Sequence, residues 1–232
     1  MNFLINFADK FNQNFIEANR WKYILNGLGV TLRVTLFAVL IGIAVGFIVA
    51  IIRATHDKTG KLGFLNFLAN VYLTVIRGTP VVVQLLIIYF VIFASARVDK
   101  TFVAVIAFGI NSGAYVAEIV RGGIMSIDPG QMEAGRSLGF NYIQTMWHII
   151  IPQAFKNVLP ALGNEFIVLL KETSVAGYIA LEDLTKGGDI IRSQTYSPFL
   201  PLLAVAGIYL GIVMLLSYLL KLLERSLRNS ER

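Results

Sequence analysis

The side chains able to do chemistry in this 232-residue chain are polar groups stranded in apolar surroundings. Asn111, Tyr115, Glu118 and Gly122 recur three or four apart, so they share one face of a helix, with Ser112 beside it. Downstream, Asn157, Ala161, Asn164, Val168 and Lys171 repeat the spacing, with Glu165 next to Asn164. Carboxylates, carboxamides and hydroxyls in such stripes accept and donate hydrogen bonds and meet charge. Two stripes facing each other would line an aqueous path. Covalent chemistry is poorly served. The chain has no Cys, its two histidines, His56 and His148, are far apart, and no Ser/His dyad or carboxylate pair with a base stands out. Thiolate or histidine metal sites and a membrane enzyme are therefore set aside.

The elements that hold these stripes follow from composition. With 56% hydrophobic residues, 12% aromatic residues and a mean hydropathy of +0.69, the chain has more apolar surface than a soluble core of its length can hide. A helix crossing a bilayer needs about 20 apolar residues to cover roughly 30 Å. The expected fold class is all-α, a polytopic membrane protein with five spans at 28–52, 79–97, 102–126, 153–172 and 199–223. Residues 62–76 are charge-free but short. Gly63, Asn66, Asn70, Thr74 and Arg77 fall on one stripe there, which favours an interfacial elbow helix over a sixth span. Thr79 reads as the N-cap of the next span, which Pro80 begins. Residues 1–22 read as an amphipathic helix on the membrane face, with Leu4, Phe7, Ala8, Phe11 and Phe15 on its apolar side. Its first basic residue is Lys10, unlike a cleavable signal peptide. Residues 1–232 are expected to form a single membrane domain.

The net charge of +6 and pI of about 9.6 do not mark a nucleic-acid binder, because the basic residues punctuate span ends instead of forming one patch. With the N-terminus outside, eleven Lys and Arg lie inside, counting to Arg232, against eight outside. The C-terminus is then cytoplasmic. Arg33 can snorkel to the outer interface, Arg77 can face the inner headgroups, and Trp21, Tyr23 and Trp147 read as interface anchors.

The loop at 128–152 is charged and punctuated by glycine, so it must lie in water or against a protein. Asp128-Pro129-Gly130 signals a turn, with Asp128 capping a helix over 131–138. Gly139 allows a sharp turn, and a second helix resumes at Asn141 and runs to Pro152.

Glu133-Ala134-Gly135, three residues, Gly139, nine residues and Ile149-Ile150-Ile151-Pro152 resemble the EAA-x3-G-x9-I-x-L-P signature of permease subunits of ATP-binding-cassette importers. The departures are Gly135 for the second Ala and Ile151 for Leu. Arg77-Gly78-Thr79-Pro80 with Gln84, Tyr115 to Ile124, Leu162 to Phe166 and Leu170 to Ser174 are similar to the branch importing polar amino acids. The resemblance implies the type I permease fold in a bacterial plasma membrane. It also implies a cytoplasmic ATPase dimer, a second permease subunit, identical or related, and an extracytoplasmic amino-acid-binding protein. ATP and Mg would belong to the ATPase. This chain needs no cofactor, and it lacks G-x-x-x-x-G-K-[ST]. Coupling to the ATPase falls on Glu133, Ala134, Gly135, Arg136, Gly139 and Pro152, and the resemblance also leaves a loop-bracing role open for Arg77.

For an amino-acid substrate, an anion must meet the ammonium and donors must meet the carboxylate. The expected binding residues are Glu118, Asn164, Thr173, Ser174, Tyr115 and Asn111, with Glu118 as the anion. Two readings of Glu118 stand open: substrate contact, or a pair with Arg121 one turn away. Glu118 and Glu165 lean toward a basic substrate such as arginine, lysine or histidine, and glutamine or glutamate stays open because a carboxylate for the common ammonium group serves all of them. The rival function is an ion-coupled secondary transporter using the same two carboxylates as proton carriers.

Overall fold

A computed structural model describes residues 2–229, and every regular element among them is helical. Met1 and residues 230–232, Arg232 of the charge count included, lie outside the described residues, as do the side chains of Leu4, Lys58 and Arg228. In chain order the helices are α1 (Asn2–Phe11), α2 (Trp21–Thr59), α3 (Gly63–Gly78), α4 (Val81–Ile87), α5 (Lys100–Met125), α6 (Pro129–Ser137), α7 (Tyr142–Thr145), α8 (Ile151–Glu172), α9 (Leu184–Thr195) and α10 (Phe199–Asn229). Single π turns follow α1, α4 and α7, and a 3₁₀ segment, Thr173–Ile179, follows α8.

By length and apolarity, α2, α5 and α10 can each cross a membrane, and α3 with α4 would add a fourth crossing if they count as one broken span. At 22 residues α8 is about 33 Å long and also long enough, but Lys156, Glu165, Lys171 and Glu172 make it more polar than the other three. It stays one helix through Pro160, whose ring removes a single intrahelical bond. The segment expected as the second span, 79–97, is different. Its helix and π turn run only from Val81 to Ile92, about 18 Å, too short to span alone. Thr79 also serves the other helix. It is extended (φ −123°, ψ 147°), and its hydroxyl donates to the Val75 carbonyl at 2.8 Å, closing the end of α3. Pro80 occupies the N-cap position of α4 and makes no side-chain cap there. The residue before a proline is pushed out of the helical region, which suits the end of α3 as well as it would suit a cap.

The chain divides into two compact units. The first holds the residues up to Ala38, Pro80–Phe108 and Ile167–Leu216. Its core joins Phe15, Ile24, Leu184, Ile191 and Val205, so the N-terminal residues pack on α9 and α10. Asn14, fully buried, donates to the Lys10 carbonyl at 2.7 Å and accepts from Thr195 at 2.8 Å. Of the apolar face foreseen for residues 1–22, Phe7 and Phe11 are exposed while Phe15 enters this core. Asp183 caps α9, accepting from the backbone N–H of Lys186 at 2.9 Å and of Thr185 at 3.2 Å. Burial pushes the Asp183 carboxyl above the usual carboxylate range.

The second unit holds Val39–Thr79, Gly109–Phe166 and the residues from Ser217 onward. One cluster joins Val49 of α2, Ala69 and Leu73 of α3, and Ala114 and Ala117 of α5. Another joins Ala50, Val116 and Val120 to Val158 and Leu162 of α8. Tyr72 donates to the Ile110 carbonyl at 2.6 Å, fixing α3 against α5. This unit carries both the elbow after α5 and most of the polar stripe.

Candidate functional site

The elbow is built by local rules. The Asp128 carboxylate accepts from the Gly130 N–H at 2.7 Å and Pro129 takes the first helical position, so α6 starts two residues earlier than expected and ends at Ser137. Gly139 then adopts φ +87°, a conformation costly for any residue with a Cβ. Asn141 and Gln144 form a reciprocal capping box, each bond 2.9 Å, which launches α7 in a new direction. Around this turn Leu138 and Ile143 are each 75% exposed and Trp147 66% exposed. Ile143 and Trp147 lie four apart on one helical face. Three large apolar side chains held out by a capped turn form a surface with something to cover. A groove of about 1060 Å³ borders it, lined in part by Asp128, Met132, Glu133, Arg136, Gly139 and Phe140. Of the residues assigned to coupling, Glu133, Ala134, Arg136, Gly139 and Pro152 are exposed and Gly135 is buried.

Gly135, the departure from the resembled signature, has a steric cause. A Cβ built there would lie 2.5 Å from Thr145 Cγ2, 2.9 Å from its Oγ1 and 3.0 Å from Ile149 Cδ1. Thr145 is itself buried and donates to the Asn141 carbonyl at 3.0 Å, so it cannot move aside cheaply. Gly135→Ala should therefore lose about 1–3 kcal/mol to overpacking. Adding Thr145→Ala should recover most of that, as read by thermal denaturation of the two variants. Equal stability of Gly135→Ala and the parent would refute the packing argument.

On α5 the polar stripe is not uniform. Asn111 is buried, Tyr115 exposed and Glu118 half-buried. Ser112 is buried and donates to Glu165 of α8 at 2.8 Å, and Asn157 donates to Ser126 at 3.0 Å. The facing of the two stripes is thus carried by Ser112 with Glu165, their neighbours in sequence, and by Asn157 with Ser126. Asn164 is exposed on α8. Thr173 and Ser174 belong to the first unit and are described there alone. The Thr173 hydroxyl donates back to the Leu170 carbonyl at 2.8 Å, and Ser174 lines a pocket of about 510 Å³ with Gly177, Tyr178 and Lys186.

Glu118 sits among three arginines. Arg121, one turn on, donates to Oε2 at 3.1 Å, Arg53 of α2 donates to Oε1, and Arg77 at the end of α3 lies 3.8 Å away. The pair with Arg121 is one of the two readings weighed above. Arg53 and Arg77 are further partners that spacing did not announce, Arg77 having been expected to face the inner headgroups. The available signal was a carboxylate in an apolar run flanked by more arginines than span ends require. Arg77 also lies 6.0 Å from the centre of the Tyr115 ring.

Comparison with known proteins agrees with this geometry. A putative glutamine transport system permease protein of Rickettsia typhi is 39% identical over 207 residues, covering 88% of this chain and 93% of that protein. An arginine transport system permease protein of Bacillus subtilis is 36% identical over 211 residues, covering 90% and 94%. The crystal structure of an amino acid ABC transporter with histidines superposes with a TM-score of 0.81 at 43% identity, covering 90% of this chain and 96% of that one. That likeness gives the all-α arrangement its fold, the type I importer permease. Residues 42–229, which take in the arginine cluster and the elbow, match the family described as the binding-protein-dependent transport system inner membrane component, and to that family this chain belongs.

Proposed function

We propose that this chain is the membrane-spanning subunit of an ATP-driven importer of polar amino acids, with a basic amino acid as the favoured substrate. The observation that carries the reading is the elbow at 128–152, a capped helix–turn–helix that holds Leu138, Ile143 and Trp147 out beside Glu133 and Arg136. Apolar knuckles with flanking charges suit a protein socket: burial supplies affinity and charge pairing supplies register. The socket belongs to a cytoplasmic ATPase dimer. ATP binding there closes the dimer and moves the elbow, and the helices it joins, α5 and α8, rock between inward-open and outward-open states. A second permease subunit and an extracytoplasmic amino-acid-binding protein complete the assembly. The N-terminus lies outside a bacterial plasma membrane and the C-terminus in the cytoplasm.

The path follows Asn111, Tyr115, Glu118 and Asn164, with Thr173 and Ser174 further along the chain. A basic substrate is favoured by Glu165. It is a buried carboxylate whose hydrogen bond comes from the neutral Ser112, and no ion pair to it occurs among the described residues. A cationic side chain would supply the missing charge. The companion carboxylate, Glu118, is committed to arginines, which favours a holding role over contact with the ammonium group.

Uptake of labelled arginine and glutamine by proteoliposomes containing the whole complex tests the reading. Uptake should require enclosed ATP and the binding protein. Uptake at full rate from an ion gradient without ATP would contradict it.

A further inference from the structure

Glu118 carries one negative charge among three positive ones, so the cluster with Arg53, Arg77 and Arg121 has a surplus of two. No second carboxylate forms an ion pair with these arginines among the described residues. The cluster is neither sealed nor fully solvated, for Glu118 is 24% exposed and Arg77 47%. Two uncompensated charges held this close together are costly without an anion to meet them. Guanidinium groups offer more N–H donors than one carboxylate can accept, in a planar fork matched to an oxyanion. Arg77 is the open member, and its guanidinium lies beside the exposed ring of Tyr115, on the same face of α5 as Glu118 and Gly122. Arg53 and Arg121 are less exposed, and both are bonded to the carboxylate.

We infer that this cluster is an oxyanion site and that its occupant is the carboxylate of the amino acid in transit, held by Arg77 with Arg53 and Arg121 in support. The inference rests on the amino-acid importer reading. In it Glu118 is a positioning residue that keeps three like charges together. A lipid phosphate has the same oxyanion chemistry. The carboxylate is favoured because Arg77, at the end of α3, lies against Tyr115 on the polar stripe of α5 instead of on an apolar outer face.

The test uses the whole complex in nanodiscs. The amino acid giving the largest thermal shift among twenty is compared with its own α-carboxamide, in wild type, Arg77→Gln and Arg77→Lys. Wild type should prefer the acid by roughly 10–100-fold, the range for a charge-assisted bidentate contact. Arg77→Gln should reduce that preference to within a few-fold, chiefly through weaker binding of the acid. Arg77→Lys, which keeps the charge and loses the fork, should fall between. An acid-to-amide preference that is the same in wild type and Arg77→Gln overturns the inference. Repeating the series with and without phosphatidylglycerol separates the sources. If the variant changes only the response to that lipid and keeps the preference, the occupant is a lipid phosphate and the inference fails. A wild-type complex that answers none of the twenty amino acids fails the functional reading itself, and the inference with it.

Discussion

Glu118→Ala should lower the stability of the assembled transporter more than any other single change in the polar stripe. It leaves Arg53, Arg77 and Arg121 facing one another with no carboxylate between them. Removing one partner of a fully buried ion pair costs about 3–5 kcal/mol, because the remaining charge stays desolvated. Glu118 is a quarter exposed, so water screens part of that, and about 2 kcal/mol is the better expectation. For a chain of this length that corresponds to a fall of roughly 4–8 °C in the thermal midpoint. The double variant Glu118→Gln with Arg53→Gln should be more stable than Glu118→Gln alone, since it removes one of the opposed charges. If the two substitutions add independently in a double-mutant cycle, the cluster is not an energetic unit.

Gly139→Val should uncouple transport from ATP hydrolysis. Gly139 stands at φ +87° with open space around it, so the obstacle is backbone conformation and not crowding. A β-branched residue is a severe misfit in that region, at about 2 kcal/mol. The free elbow relieves the strain by opening, and docking on the ATPase must then restore it. About 2 kcal/mol charged to docking weakens association roughly thirtyfold. Gly139→Asn, with a side chain that tolerates positive φ, should retain most of the association in a pull-down from detergent. Gly139→Asp adds a charge beside the exposed apolar surface and should lose association even where its backbone is tolerated. Wild-type association of both Gly139→Val and Gly139→Asp would show that the turn does not shape the joint.

These residues also show where sequence was sufficient. The elbow was legible because its signals are local. Asp128 before Pro129, Gly139 between two helical runs, and Asn141 at the start of the second run each act through the backbone within a few positions. The all-helical fold was legible for a similar reason, because apolar run length maps directly onto helices that must satisfy their own backbone in lipid. What escaped depended on tertiary contact. Arg53 and Arg77 reach Glu118 from positions 65 and 41 residues away in sequence, and nothing in spacing announces that. Asn14 finds Thr195 across 181 residues. Ile92 ends its helix short of the expected 97 although the run to Ala96 stays charge-free, because apolarity fixes which residues avoid water but not where a helix stops. Thr79 could close α3 or open α4, and only the hydroxyl bond to Val75 decides.

In the proposed mechanism the capped turn at 128–152 is the joint to a cytoplasmic ATPase. Because the chain has no cysteine, a single cysteine introduced at Leu138 or Ile143 is a unique reporter in this subunit. Labelling with a membrane-impermeant maleimide, on intact cells and on inverted vesicles, followed by cross-linking within the purified complex, is the direct measurement. Labelling is expected from the cytoplasmic side only, with a cross-link to the ATPase and protection of the thiol when the ATPase is bound. Labelling on intact cells, or a thiol reactive from the cytoplasm yet unprotected and never cross-linked to the ATPase, would contradict it.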